Sequence, residues 1–262
     1  MAETQNYTLG RGKVYFSRFK TGTRIPEGFM YIGNTPEFAL TIENETLDHY
    51  SSDGGIREKD DSVPLEVTRT GTMVTDSIRP RNVALFFFGS DQTVVQAPVA
   101  AADETFTDVK AGSMVKLGIS PSNPTGYFGV NPTGLTVEVG AETLVLGTDY
   151  TVDGPMGIVA FITVADGGSI VDGDDVTVNY AVQGSTRPRV ISGSEPVEGA
   201  MMYIADNPKG DDFHYFLPYV KITPNGDYNL KGDEWQQIPF NIEALKPDAG
   251  EAIYMDGNPV FA

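Results

Sequence analysis

The chain has 262 residues, 40% of them hydrophobic and 21% charged, enough to bury a core of one large or two ordinary domains. It holds no cysteine, which excludes disulfides and thiolate chemistry. Its net charge of -18 sets it against nucleic-acid binding, which draws its affinity from cations that neutralise phosphates. The first residues, MAETQNYTLG, show neither a basic nor an apolar signal-peptide region, and the longest apolar run, VALFFF, is too short to span a bilayer. A soluble protein with no membrane role is expected.

Taken in chain order, short strand-like runs alternate with turn residues. GKVYFSRF comes first, then EFALTIE, where Phe38, Leu40 and Ile42 share one face and Glu37, Ala39, Thr41 and Glu43 the other. After residues 46–62 comes VPLEVTRT, where Val63, Leu65 and Val67 oppose Glu66, Thr68, Thr70 and Thr72. Each strand thus has a dry and a wet face, as in an antiparallel sheet half open to water. The intervening stretch, TLDHYSSDGGIREKDDS, reads as a connecting loop. It is far longer than the roughly two to five residues usual in a hairpin.

One helix is predicted in TDSIRPRNVALFFFGS, with Pro80 in the first turn, apolar residues through Phe88 and Gly89 as the stop. From Thr93 to Gly184 the composition changes, with 11 acidic and two basic residues, or nine of the eighteen net negative charges. Here LTVEVGAETLVLGTDYTVDGPMGIVAFITV, followed by VDGDDVTVNY, shows strand-like runs at about ten-residue spacing with turn residues between, which points to an inserted β-sandwich. The runs AMMYIAD, YFLPYVKIT and QIPFNIEAL follow. In the last, Ile238, Phe240 and Ile242 oppose Gln237, Asn241 and Glu243. Pro64, Pro218 and Pro239 fall inside such runs and mark edges, bulges or strand starts. The expected fold is mainly β, with a core domain in 1–92 and 185–262 and an inserted domain in 93–184.

Catalytic chemistry needs titratable groups in a constellation. The two histidines, His49 and His214, are far apart and belong to no metal motif. GRGK at Gly10 to Lys13 lacks the earlier glycine and the following Ser/Thr of a phosphate loop. Asp172, Asp174 and Asp175, and the DNPKGDD run from Asp206 to Asp212, read as solvated turns rather than cation sites. Trp235 opens a strand-like run and is expected to pack. No enzyme activity, metal or cofactor is expected.

Four segments together carry a resemblance. They are TLGRGKVYF, then YIGNTPEFALTIENETLDHYSSDGGIREKDDSVPLEVTRTG, the LFFFG helix end, and YIADNPKGDDFHYFLPYVKITPNGDYNLKGDEWQQIPFNIEAL. In this order they resemble the major tail tube proteins of long-tailed, non-contractile bacteriophages, over about 1–92 and 185–262. The middle segment resembles the immunoglobulin-like modules inserted into such proteins. The resemblance implies a tail-tube β-sandwich or barrel core with one packed helix, assembled as hexameric rings stacked into a hollow tube. Each subunit would give two hairpins to an inner barrel, and the inserted module would sit on the exterior. A long loop would reach the neighbouring ring, and viral DNA would pass through the lumen without specific binding. Implied partners are further copies of the chain and the tail tip, tape measure and tail terminator proteins. The implied location is the virion, after assembly in the host bacterial cytoplasm.

Two sets of site residues follow from the resemblance. The inter-ring loop would comprise Asp48, His49, Tyr50, Asp53, Gly54, Gly55, Arg57, Glu58, Lys59, Asp60 and Asp61. Its mixed charges suit paired register, and it is expected to be flexible in the free subunit and to order on stacking. The wet faces supply lumen candidates: Glu37, Thr41, Glu43, Glu66, Thr68, Gln237, Asn241 and Glu243. The alternative reading is a secreted or surface β-sandwich module that binds glycan or protein.

Overall fold

The computed structural model describes residues 7–260 and is mainly β. In chain order the strands are β1 (Gly12–Arg18), β2 (Met30–Tyr31), β3 (Glu37–Ser51) and β4 (Glu58–Thr75), followed by helix α1 (Pro80–Phe86). Next come β5 (Ser90–Gln96), β6 (Val99–Phe106), β7 (Met114–Lys116), β8 (Val130–Val139), β9 (Glu142–Thr143), β10 (Tyr150–Asp153) and β11 (Ile158–Phe161). The last are β12 (Val176–Val182), β13 (Ser185–Ile191), β14 (Val197–Ala205), β15 (Phe213–Pro224), β16 (Ile238–Ala244) and β17 (Tyr254–Gly257). The chain divides into two compact units, one running to Gln92 and resuming at Arg189, the other spanning Thr93–Pro188.

The first unit is built on one antiparallel sheet in the order β2-β1-β14-β15-β16-β4-β3, with β17 also paired to β15. Strand alternation puts Phe240, Ile242, Met73, Ile222, Leu217 and Val14 on one face, where they are fully or almost fully buried with Leu85 of α1. Phe38 stacks on Tyr203 with ring centroids 5.7 Å apart, so β3 and β14, well separated in strand order, meet across this core. Pro64 and Pro218 each lie beside a register shift, as strand prolines tend to.

Helix α1 starts where proline suits it, with Pro80 in its first turn. Asn82, fully buried, donates from Nδ2 to the carbonyls of Ile32 and Ser77 and so ties the helix to the segment between β2 and β3. Its end corrects the expectation that Gly89 stops it. The left-handed residue is Phe88, with φ of 54°. The Phe88 amide donates to Leu85 O and the Gly89 amide to Ala84 O, the pair of bonds that defines a Schellman motif. Gly89 is needed for a different reason: a Cβ there would lie 1.8 Å from the carbonyl oxygen of Ile191.

In the second unit, a four-stranded sheet, β6-β12-β8-β9, and a three-stranded sheet, β10-β11-β7, contribute to one buried cluster. Along β12, Val176, Val178, Tyr180 and Val182 alternate inward and meet Val137, Val159 and Phe161. Tyr180 donates to Glu104 Oε2 at 3.1 Å, and burial, followed by that carboxylate, pushes its phenol far up. Strands β5 and β13, which carry the chain out of and back into the first unit, pair with each other.

Candidate assembly surface: the β3–β4 arm and the polar sheet face

The stretch expected to be a loop is mostly a β-ladder. Strands β3 and β4 pair continuously from Glu37↔Val74 to Ser51↔Glu58, leaving a turn at 52–57. Asp48, His49 and Tyr50 therefore belong to β3, and Glu58, Lys59, Asp60 and Asp61 to β4. Only Asp53, Gly54, Gly55 and Arg57 lie in the turn. Two extra residues on β4, Asp60 and Leu65, break the register and disguise the ladder's period of two.

The last pairing of β4 with β16 is Thr70↔Glu243. Beyond it β3 and β4 have only each other, and the pair extends as an arm of roughly 35 Å at the usual strand rise. Side chains expected on the dry face are uncovered there: Ile42 is 64% exposed, Leu65 60%, Val63 52% and Val67 45%. The Leu65 bulge also separates Val63 from Val67. Val63 pairs with Leu47 and Val67 with Asn44, positions of opposite parity on β3, so they face opposite sides.

Charge pairs lace the outer arm. Lys59 Nζ lies 2.6 Å from Asp48 Oδ1, and Ser62 Oγ donates to the same oxygen at 2.9 Å. The Lys59 contact, then Ser62, holds the Asp48 carboxyl below its usual value, and Asp48 raises the Lys59 ammonium. His49 Nδ1 is 2.5 Å from Asp60 Oδ1, and the Arg57 guanidinium sits 5.3 Å over the Tyr50 ring.

The polar candidates gather on one sheet face. Register runs Thr41↔Thr70↔Glu243 and Ala39↔Thr72↔Asn241 across β3, β4 and β16, with Glu43↔Thr68 and Glu45↔Glu66 farther along the arm. Glu37 lies on the same side and accepts from Thr72 Oγ1 at 3.2 Å. Gln237 is exposed and immediately precedes β16. Lys221 stands opposite Glu243 but ion-pairs with Glu198 at 3.6 Å, and Tyr219 donates to the same Glu198 oxygen at 3.0 Å. Glu37, Glu43, Glu45, Glu66 and Glu243 leave the face acidic.

Other motif residues have local structural work. His214 Nδ1 accepts from the Ala205 amide at 3.1 Å, which leaves Nε2 to donate to Asn258 Oδ1 at 2.8 Å. Asp172, Asp174 and Asp175 accept from the amides of Ala111, Val171 and Asp108. No group of three or more His, Cys, Asp or Glu arranged to hold a metal occurs among the described residues. No described helix is long and apolar enough to cross a membrane.

Trp235 corrects the expectation that it packs. It is 93% exposed, in the segment 225–237 between β15 and β16. Its neighbours Asp233, Glu234, Gln236 and Gln237 were the sequence signal for exposure: no apolar alternation reaches the tryptophan.

A family model described as "Protein of unknown function UCP028589" matches residues 7–252. The chain belongs to this family. The match takes in both units and includes the arm, the polar face and the Trp235 segment. No curated protein matches the chain.

Proposed function

We propose that this protein is a structural subunit that polymerises into a hollow tube, as the major tail tube proteins of long-tailed, non-contractile phages do. The observation that carries the reading is the arm. A two-stranded ribbon is marginal in water by itself, and a long, unblocked edge strand such as β3 is a template for pairing with another chain. This arm also holds Ile42, Leu47, Val63 and Leu65 more than half exposed. Burying one such side chain stabilises by about 1.5–3 kcal/mol, so contact with another copy offsets the cost of ordering the arm.

The acidic sheet face supports the same reading. A lumen through which DNA slides must not hold phosphates, and carboxylates and hydroxyls on the wall avoid that. Ring closure by head-to-tail pairing of subunit edges would remove the open edge of β3. On this reading the rings are hexameric, the second unit is an immunoglobulin-like module on the exterior, and the protein works in the virion tail. Negative-stain electron microscopy of the concentrated protein tests it, and rings and stacked tubes are expected. Monomers at every concentration, with arm amides exchanging at the free rate, overturn it.

A further inference from the structure

We infer that the Trp235 segment is the acceptor surface for the arm turn of a second copy of this chain. The inference rests on the assembly reading above and names the contact that would propagate it.

The segment is braced rather than loose. Tyr228 packs on the core edge-to-face with Phe86, at 5.7 Å between ring centroids. Gln236 Nε2 donates to the carbonyls of Asn229 at 3.1 Å and Leu230 at 3.3 Å. This framework presents Trp235, 93% exposed, and Leu230, 74% exposed, to water. Clefts of about 430 and 400 Å³ flank the indole, one lined by Asp76 and Ile78, the other by Val74 and Asp227. A tryptophan held open on a pinned segment, beside clefts, has the make-up of an interface anchor.

Geometry selects the occupant. The segment ends at Ile238, which pairs with Thr75 at the end of β4, whereas the arm turn closes at Glu58 at the start of the same strand. By strand rise the two are about 55 Å apart, at opposite ends of one sheet. Copies stacked head to tail along the strands bring the turn of one to the Trp235 segment of the next, a heterologous contact that repeats without limit.

Chemistry agrees. The turn offers Ile56, 83% exposed, and Arg57. The acceptor offers Trp235 and Leu230 beside Asp227, Asp233 and Glu234, against Lys231. Among the described residues neither Arg57 nor Asp233 nor Glu234 forms an ion pair. Arginine suits both parts of such a surface, as a partner for carboxylates and as a plane that stacks on indole.

Trp235 is the chain's single tryptophan, so fluorescence excited at the red edge of the absorption band, where the tyrosines do not absorb, reports this segment alone. On polymerisation its emission should move to shorter wavelength and its quenching by acrylamide should fall several-fold. Trp235→Ala and Arg57→Glu should each leave the monomer's melting temperature unchanged and raise the concentration needed for tubes at least tenfold. Adding Asp233→Arg and Glu234→Arg should restore polymerisation of Arg57→Glu. In this cysteine-free chain, Arg57→Cys with Glu234→Cys should give an oxidised ladder, and either change alone no more than dimers. Tubes in which Trp235 stays as quenchable as in the monomer overturn the inference and leave the assembly reading standing. A wild-type chain that forms no rings or tubes at all removes both.

Discussion

Asp149 is 4% exposed and accepts from the amides of Val145 at 2.7 Å and Ser169 at 2.9 Å. The Val145 amide first, then Ser169, holds its carboxyl below the usual value. Its stabilisation is complete above the unfolded value of roughly 3.9 and is lost as pH falls through the lower folded value. Asp149→Asn turns one acceptor into a donor facing an amide, and should cost about 1–3 kcal/mol at neutral pH. The penalty should shrink below pH 4 as the wild-type carboxylate protonates, which chemical denaturation at several pH values would read. Gly89 makes the second residue-scale case. Because the obstacle to a Cβ is the Ile191 carbonyl, a backbone atom, Gly89→Ala must push two segments apart. A loss of about 1–3 kcal/mol or more is expected in the same measurement. The preceding Phe88 already sits in left-handed backbone, so the helix end has little room to relax.

The arm's contribution at the scale of an element is separable from the fold. Leu47 and Val63 pair with each other more than half exposed, on ladder that meets no other strand. Leu47→Asp with Val63→Asp should therefore leave the melting temperature within about 2 °C of wild type, since exposed positions carry little stability. The same variant should abolish tube formation, and sedimentation of polymer from soluble subunit would decide it. The polar face gives a complementary prediction. Glu43→Lys with Glu66→Lys places cations among Thr41, Thr68 and Glu243 without touching the buried face. Assembled variant tubes should retain DNA at low salt and release it as salt rises, while wild-type tubes should retain none, as gel retardation would show.

At the scale of the whole molecule, two hydrophobic clusters share no residue. One is centred on Phe240, Met73 and Leu217, the other on Val137, Val178 and Phe161. The chain passes between the units through β5 and β13. Two calorimetric unfolding transitions are expected, and Asp149→Asn should lower only one of them. A single transition lowered as a whole would mean that the two cores unfold cooperatively.

The β-rich character, the place of α1 and the dry and wet faces of β3 and β16 were set by local pattern, because strand alternation and a first-turn proline act within a few residues. On β4, by contrast, the Leu65 bulge puts Val63 and Val67 on opposite sides. Thr41 and Glu43 on β3, and Asn241 and Glu243 on β16, share a side by parity alone, since side-chain direction alternates along a strand, but their union with Thr68 in one face follows from the register. What that parity faces is a non-local property. Ile42 and Leu65 carry the same apolar signal as Phe38, yet only Phe38 has β14 folded over it, so they are exposed and it is half-buried. The arm was hidden for a related reason: a ladder solvated on both faces needs no apolar alternation, and bulges at Asp60 and Leu65 erase what little there is. Tertiary structure likewise decided that Phe88 takes the left-handed turn, because the approach of Ile191 claims Gly89 for close packing. It also decided that Trp235 stands in water, because the rest of the chain folds without reaching it.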